Sequence, residues 1–214
     1  MPNHCINLVS IQGPQERLIE IDNLVRTEGN PFNFDKIVHM PEYLNGEYCY
    51  MAIEDAKKFV NSKNADGDPN EFAKQFVQVR GWCVNDHDAY IKDFVQAVEN
   101  YRKCGFCYWL DWALTYWGTK WNSYDHGECS VGEYNYFTAN GPGDNVLGGL
   151  SVMFPDVVIT LQYSNEDALG CHGTMTFENG AVTDNTLDPG SPEALAFYEE
   201  MWGVSADEMD EEED

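Results

Sequence analysis

Cys5-Ile6-Asn7-Leu8-Val9-Ser10-Ile11-Gln12-Gly13 reads as a β-strand. Its residues are mostly apolar or β-branched, and Gly13-Pro14 ends it. Apolar side chains fall at both parities, which predicts burial on both faces and a central place in a sheet. Pro14 then stands where the first helical turn tolerates it. Leu18, Ile21 and Val25 follow at helical spacing, and Gly29-Asn30-Pro31 stops the helix. Phe32 to Met40 (FNFDKIVHM) reads as a second strand, closed by Pro41.

Residues 44–104 read as a helical insertion. Ile53, Ala56, Phe59 and Val60 share one helical face, and Phe72, Phe76 and Val79 mark a second helix. Asn85, with Asp88 three residues on, is the expected cap of a third helix striped by Ile91, Phe94, Val95, Val98 and Tyr101. Beyond it, Tyr134 to Ala139, Val157 to Tyr163 and His172 to Phe177 read as strands. Asp144 is expected to cap a short helix carrying Leu147, Leu150 and Phe154. Glu178-Asn179-Gly180 reads as a turn. Ser191-Pro192-Glu193 opens a last helix, with Leu195, Tyr198 and Trp202 on one face and Gly203 after it. The order is β-α-β, a helical insertion, β-α-β-β and a terminal helix. That order predicts an α+β, ferredoxin-like antiparallel or mixed sheet covered on one face by helices. Residues 1–206 are expected to form one domain, and 207–214, with seven acids in eight residues, a disordered tail.

Trp109 to Trp121 (WLDWALTYWGTKW) holds four of the six tryptophans and the last basic residue, Lys120. Trp109, Trp112 and Tyr116 recur at helical spacing, which predicts a core role. Trp109, Trp112, Trp117, Gly118, Lys120 and Trp121 are therefore the expected structural motif. From Trp121 onward there are twenty Asp plus Glu and no Lys or Arg, in a chain of formal charge −25. Such a chain repels nucleic acid and anionic membrane, because phosphate binding needs basic neutralisation. No apolar run approaches the roughly 20 residues of a membrane span. The first residues lack the basic and apolar regions of a signal peptide, and seven cysteines is an odd number at irregular spacing. Both point to a cytoplasmic chain with reduced thiols.

No catalytic set, metal site or cofactor emerges. His126-Gly127-Glu128-Cys129 and Cys171-His172 offer zinc-ligand chemistry, but adjacent residues rarely face one ion. Asp66-Gly67-Asp68-Pro69-Asn70 resembles the start of a calcium loop, but Glu71 and Val77 occupy the positions that need Gly and Glu. Acids, by contrast, fall at the edges of expected elements: Asp144, Asp156, Glu166, Asp167, Glu178, Asp184 and Asp188. With no Lys or Arg among them, they are expected to lack local neutralisation and to attract a cationic partner.

The sequence resembles the YubB-type ferredoxin-like domain proteins of phages and plasmids. The resemblance rests on Asn3, Cys5, Asn7 and Gly13; on His39-Met40-Pro41-Glu42-Tyr43-Leu44; and on Trp112 with Trp117-Gly118-Thr119-Lys120-Trp121. Phe137-Thr138-Ala139, Phe154-Pro155, Tyr163, Glu166 and Gly173 extend it. It covers residues 1–45 and 105–180, and it implies a mobile-element origin without a reaction. Charge and resemblance together lead to an expectation: an acidic, non-enzymatic protein that inhibits a basic nucleic-acid-handling host protein or nuclease complex by nucleic-acid mimicry. Two alternatives stand beside it: a nucleotide binder or hydrolase with a pocket at the Trp-rich helix, and an acidic assembly protein.

Overall fold

The computed structural model describes residues 3–80 and 86–204. Strand β1 (His4–Gln12) is paired on both sides, antiparallel to β2 (Glu133–Ala139) and to β3 (Val158–Asn165). Two further antiparallel strands, β4 (His172–Glu178) and β5 (Ala181–Thr186), extend the sheet from β3 in the order β2-β1-β3-β4-β5. The sheet is open, and the chain is an α+β ferredoxin-like domain. In β1 the side chains alternate. Cys5, Asn7, Val9 and Ile11 are buried, whereas His4, Ile6, Leu8 and Ser10 are only half-buried. Burial on both faces is thus corrected to one full face and one partial face.

The buried face carries helix α1 (Gln15–Val25), which buries Ile21 and Val25 and meets β2 through a bond from Tyr134 Oη to Asp22 at 3.1 Å. The expected strand at 32–40 is absent. Phe34–Lys36 is instead a short 3-10 turn, capped by the Asn33 side chain accepting from Asp35 N–H. The Phe34 N–H goes to Asn122 Oδ1, and those of Ile37 and Val38 return to Phe34 O. Local bonds therefore satisfy a backbone that a strand would have needed to pair. The two-residue spacing of Phe32 and Phe34 reflects two fully buried rings. Phe32 stacks on Tyr136 at 5.2 Å, and Phe34 meets the same ring edge-on at 5.6 Å.

The described residues divide into two compact units, one of them Met40–Trp112 and the other the chain on either side of it. The Met40–Trp112 unit is built from α2 (Tyr50–Val60), α3 (Pro69–Arg80) and α4 (His87–Cys104). Ile53, Ala56 and Phe59 pack with Ala73, Val77, Phe94 and Val98. Val79, expected inside, is 80% exposed, because Ala73 and Val77 take the inner face of α3. The α4 cap is Asp86, accepting from Asp88 and Ala89 N–H, while Asn85 lies outside the described residues. Asp68 Oδ1 accepts from Asn70 N–H at the start of α3, so Asp68 serves as a helix entry.

Helix α5 (Trp109–Tyr116) follows, with Trp112 buried and Tyr116 44% exposed, against the expectation of a core role for Tyr116. The chain then enters β2 and crosses through α6 (Asp144–Met153) to β3, straddling β1 in a split β-α-β arrangement. Gly143, not Asp144, occupies the cap position of α6; Asp144 is its first residue. Val146, Leu147 and Leu150 are buried, and α6 packs on β3 and β4. Helix α7 (Pro192–Trp202) packs on β3 and β4 as well, and its Trp202 ring lies 5.8 Å from Phe137. Phe137 pairs with Ile6, on the half-buried side of β1. Helices therefore cover both faces rather than one. The expected tail at 207–214 lies outside the described residues.

Candidate partner-binding surface

The entry and exit signals of α7 work as its sequence implies. Ser191 accepts from Ala194 N–H, Pro192 opens the first turn, and Gly203 closes the helix at φ 71°. Ala194 and Tyr198 are fully buried. One bond network then fixes the helix to the sheet. Trp202 Nε1 donates to Ser164 Oγ at 3.0 Å, and Ser164 Oγ contacts His172 Nδ1 at 2.8 Å. His172 Nε2 lies 3.1 Å from Ala168 O. A carbonyl only accepts, so Nε2 carries the proton and Nδ1 accepts from Ser164. Burial holds the His172 imidazole below its ordinary pKa, so the ring is neutral.

The same network pins the β3–β4 loop. Tyr198 Oη donates to Glu166 O, Asp167 N–H to Asn165 Oδ1 and Leu169 N–H to Asp167 Oδ1. Glu166 is thereby half-buried and Asp167 exposed, beside α7. Burial raises the Tyr198 hydroxyl, and Asp167 and Glu166 raise it further, which places both carboxylates within electrostatic reach of the helix. Because Ala194 and Tyr198 face inward, Glu193, Glu199 and Glu200 face solvent. Those three glutamates extend the surface. Their spacing relative to Tyr198 and Trp202 was the signal for them.

Five of the seven expected acids gather near one end of the sheet. Asp144, Glu166, Asp167 and Asp188 follow or precede strand ends there, and Asp184 lies on β5 close to it. Asp156 and Glu178 lie at the opposite end, next to Val158 and Ala181. Asp156 is also ion-paired with Arg17 at 2.9 Å, so the expected absence of local neutralisation fails at that position. Arg17 lies on α1, far upstream of the stretch after Lys120 that has no cation of its own. Desolvation raises the Asp144 carboxyl, and Asp184 raises it further. In the sheet unit the two arginines are occupied: Arg17 pairs with Glu20 and Asp156, and Arg26 with Asp22.

The Trp-rich motif is structural where its contacts show. Trp117 is buried and donates Nε1–H to Val38 O at 2.9 Å. Gly118 has φ +78°, and a Cβ there would stand 2.8 Å from Asp144 Oδ1. Lys120 covers the Trp121 ring at 4.7 Å, and Trp121 is 40% exposed. Trp109 is half-buried at the start of α5.

Other reactive groups are tied into the fold. Ser123 Oγ lies 3.0 Å from His126 Nε2, a pairing reminiscent of a nucleophile and its base. But Ser123 Oγ also donates to Phe32 O at 2.6 Å, so Nε2 must be the donor toward Ser123. The pair holds the 30–32 turn instead of activating a hydroxyl. Cys104-Gly105-Phe106-Cys107 has CxxC spacing, a signal that the odd count of cysteines overlooks. Both thiols are free, and Cys104, at the C-terminal end of α4, donates its S–H to Asn100 O at 3.3 Å. Burial pushes Cys107 up to about 11. Among the described residues, no group of three or more His, Cys, Asp or Glu is arranged to hold a metal ion. None of their helices is long and apolar enough to cross a membrane.

Residues 116–213 match the family described as the ferredoxin-like domain in Api92-like protein. Among solved structures, the chain is similar to protein api92 from Yersinia pseudotuberculosis. The identity is 10%, the alignment covers 89% of this chain and 99% of that one, and the TM-score is 0.39. No curated protein matches the chain.

Proposed function

We propose that this chain is a non-enzymatic, acidic interaction protein of phage or plasmid origin. It binds a basic nucleic-acid-handling protein of the host cytoplasm, such as a defence nuclease, and occupies the channel in which that protein takes nucleic acid. The observation that carries this reading is the uneven charge of the two units. Met40–Trp112 has eight Lys plus Arg against twelve acids, a formal −4. The rest of the chain has four against twenty-five, a formal −21. Self-repulsion of that size destabilises a fold, so its concentration on one unit argues for a use. Duplex DNA presents one negative charge per about 1.7 Å of axis, and a rigid carboxylate surface at the end of a sheet can compete for the same cationic groove.

The test is competition. A protein captured on the tagged chain should lose its nucleic acid as the chain is titrated in. The complex should weaken as salt rises from about 0.1 to about 1 M, where the Debye length falls from about 10 to about 3 Å. A captured protein that holds the chain and nucleic acid together would exclude mimicry.

A further inference from the structure

The two edges of the sheet are treated differently. The outer edge of β2 is covered by the segment leading into it. Lys120 N–H reaches Ala139 O, Tyr124 and Phe137 exchange backbone bonds at 3.0 and 2.8 Å, and Gly127 N–H reaches Asn135 O. At the other end of the strand order β5 is terminal, and all six of its residues are exposed. The turn before it is tight, with Asn179 at φ 47° and Gly180 at φ 80°. Two positive φ values make a type I′ hairpin, in which the flanking pair, Glu178 and Ala181, is hydrogen-bonded. The backbone of Val182 and Asp184 therefore points away from β4, into solvent. Thr186 has the same parity, and its N–H is taken by Asp184 Oδ1 at 2.8 Å.

Edge strands are ordinarily blunted by lysine, proline or a bulge. β5 (Ala-Val-Thr-Asp-Asn-Thr) has neither lysine nor proline, its register with β4 runs without a skipped residue, and its single charge is an anion. An apolar shelf borders it. Val182 is 52% exposed on the side of the sheet that α6 covers, and Val152 and Met153 at the end of α6 are 59% and 50% exposed. Gly180 N–H donates to Ser151 Oγ, which brings that end of α6 against the hairpin.

Resting on the reading of a cationic partner, we infer that β5 is the docking edge, and that its occupant is an extended segment of the partner alternating apolar and basic side chains. Added as a sixth strand, the segment turns its apolar residues toward Val182, Val152 and Met153 on the side that α6 covers, and its basic residues to the opposite side, where Glu178 lies. Charge decides among occupants. The chain's own residues 207–214 carry seven acids, and a second copy carries −25; both are repelled. Main-chain bonds supply affinity in such strand addition, and alternate side chains supply selectivity.

The test uses the full chain, labelled for amide NMR, with a blocked peptide of alternating lysine and valine. A second peptide carries the same sequence with alternate backbone nitrogens methylated, so that it keeps its charge but cannot pair. The first peptide should protect the Val182 and Asp184 amides from exchange, and the methylated one should bind about tenfold more weakly. Val182→Pro should give a similar loss. Val182→Lys, an exposed change compatible with folding, should also weaken binding. Equal binding of the two peptides, with shifts confined to Glu166, Asp167, Glu199 and Glu200, would overturn edge docking while leaving the anionic surface in place. Failure of every cationic probe at low salt would remove both. A dimer that forms without peptide and is lost in Val182→Lys would make a second copy the occupant and overturn the inference.

Discussion

Trp202 donates its indole N–H to the hydroxyl of Ser164, 3.0 Å away, and this bond joins the last helix to the strand beneath it. Ser164 in turn donates its own O–H to His172 Nδ1, so the donor order runs in one direction from the helix into the β3–β4 loop. Trp202→Phe replaces the indole with a smaller phenyl ring and removes the first donor. It should cost about 1 kcal/mol, read from urea unfolding, and should speed amide exchange in α7 more than in β1.

His172 also fixes a direction for pH dependence. Its folded pKa is held down by burial, although Ala168 O and Asp167 act in the opposite sense. His126 is lowered for the same main reason. A histidine with a depressed folded pKa binds more protons unfolded than folded. Its contribution is therefore complete above the unfolded value of about 6.5 and declines as pH falls through the folded one. Thermal melts should show Tm dropping from neutral pH toward pH of about 5. His172→Gln should flatten part of that slope; an unchanged slope would count against a neutral, latched ring.

Gly118 and Asp144 define a close approach. A methyl at Gly118 meets Asp144 Oδ1 at 2.8 Å in a backbone with φ +78°. Gly118→Ala should cost about 2 kcal/mol, again by urea unfolding. Gly105 has φ +82° and open space around it, so Gly105→Ala should cost less, about 1 kcal/mol. The difference between the two variants isolates the contact with Asp144.

The anionic surface should be visible in stability before any partner is known. Glu166→Gln with Asp167→Asn, Glu199→Gln and Glu200→Gln removes four charges around α7. Wild-type Tm should rise with added salt as self-repulsion is screened, and the neutralised variant should rise less. Equal salt responses would mean that these carboxylates do not form one field.

Much of the fold was legible because periodicity and caps agree. α7 carries an entry signal, an exit signal and a matching apolar pattern, and β1 is an apolar, β-branched run stopped by Gly13-Pro14. The failures have physical causes. Phe32 and Phe34 mimic a strand because two core rings two residues apart look like pleat alternation, while the Asn33 and Asn122 caps that settle the matter act through space. β5 was missed because a strand exposed on every residue has no hydrophobic pattern; only Asn179-Gly180 announced it. The seven acids were readable as a charge imbalance but not as a placement. Asp156 looked unpaired because its partner, Arg17, lies 139 residues away in sequence. The glutamates of α7 became legible only once Tyr198 and Trp202 had fixed which side faces inward.

The position of β1 within the sheet has a consequence for synthesis on the ribosome. Its residues leave the tunnel well before those of both neighbouring strands, which are encoded far downstream; the Ser10–Glu133 pair already spans 123 residues. Until β2 and β3 emerge, Ile6, Leu8 and Val9 have no sheet to join, while the helices of Met40–Trp112 can close from nearby sequence alone. The nascent chain therefore completes its helical unit with β1 still unpaired, and chaperone occupancy on translating ribosomes should peak in that interval.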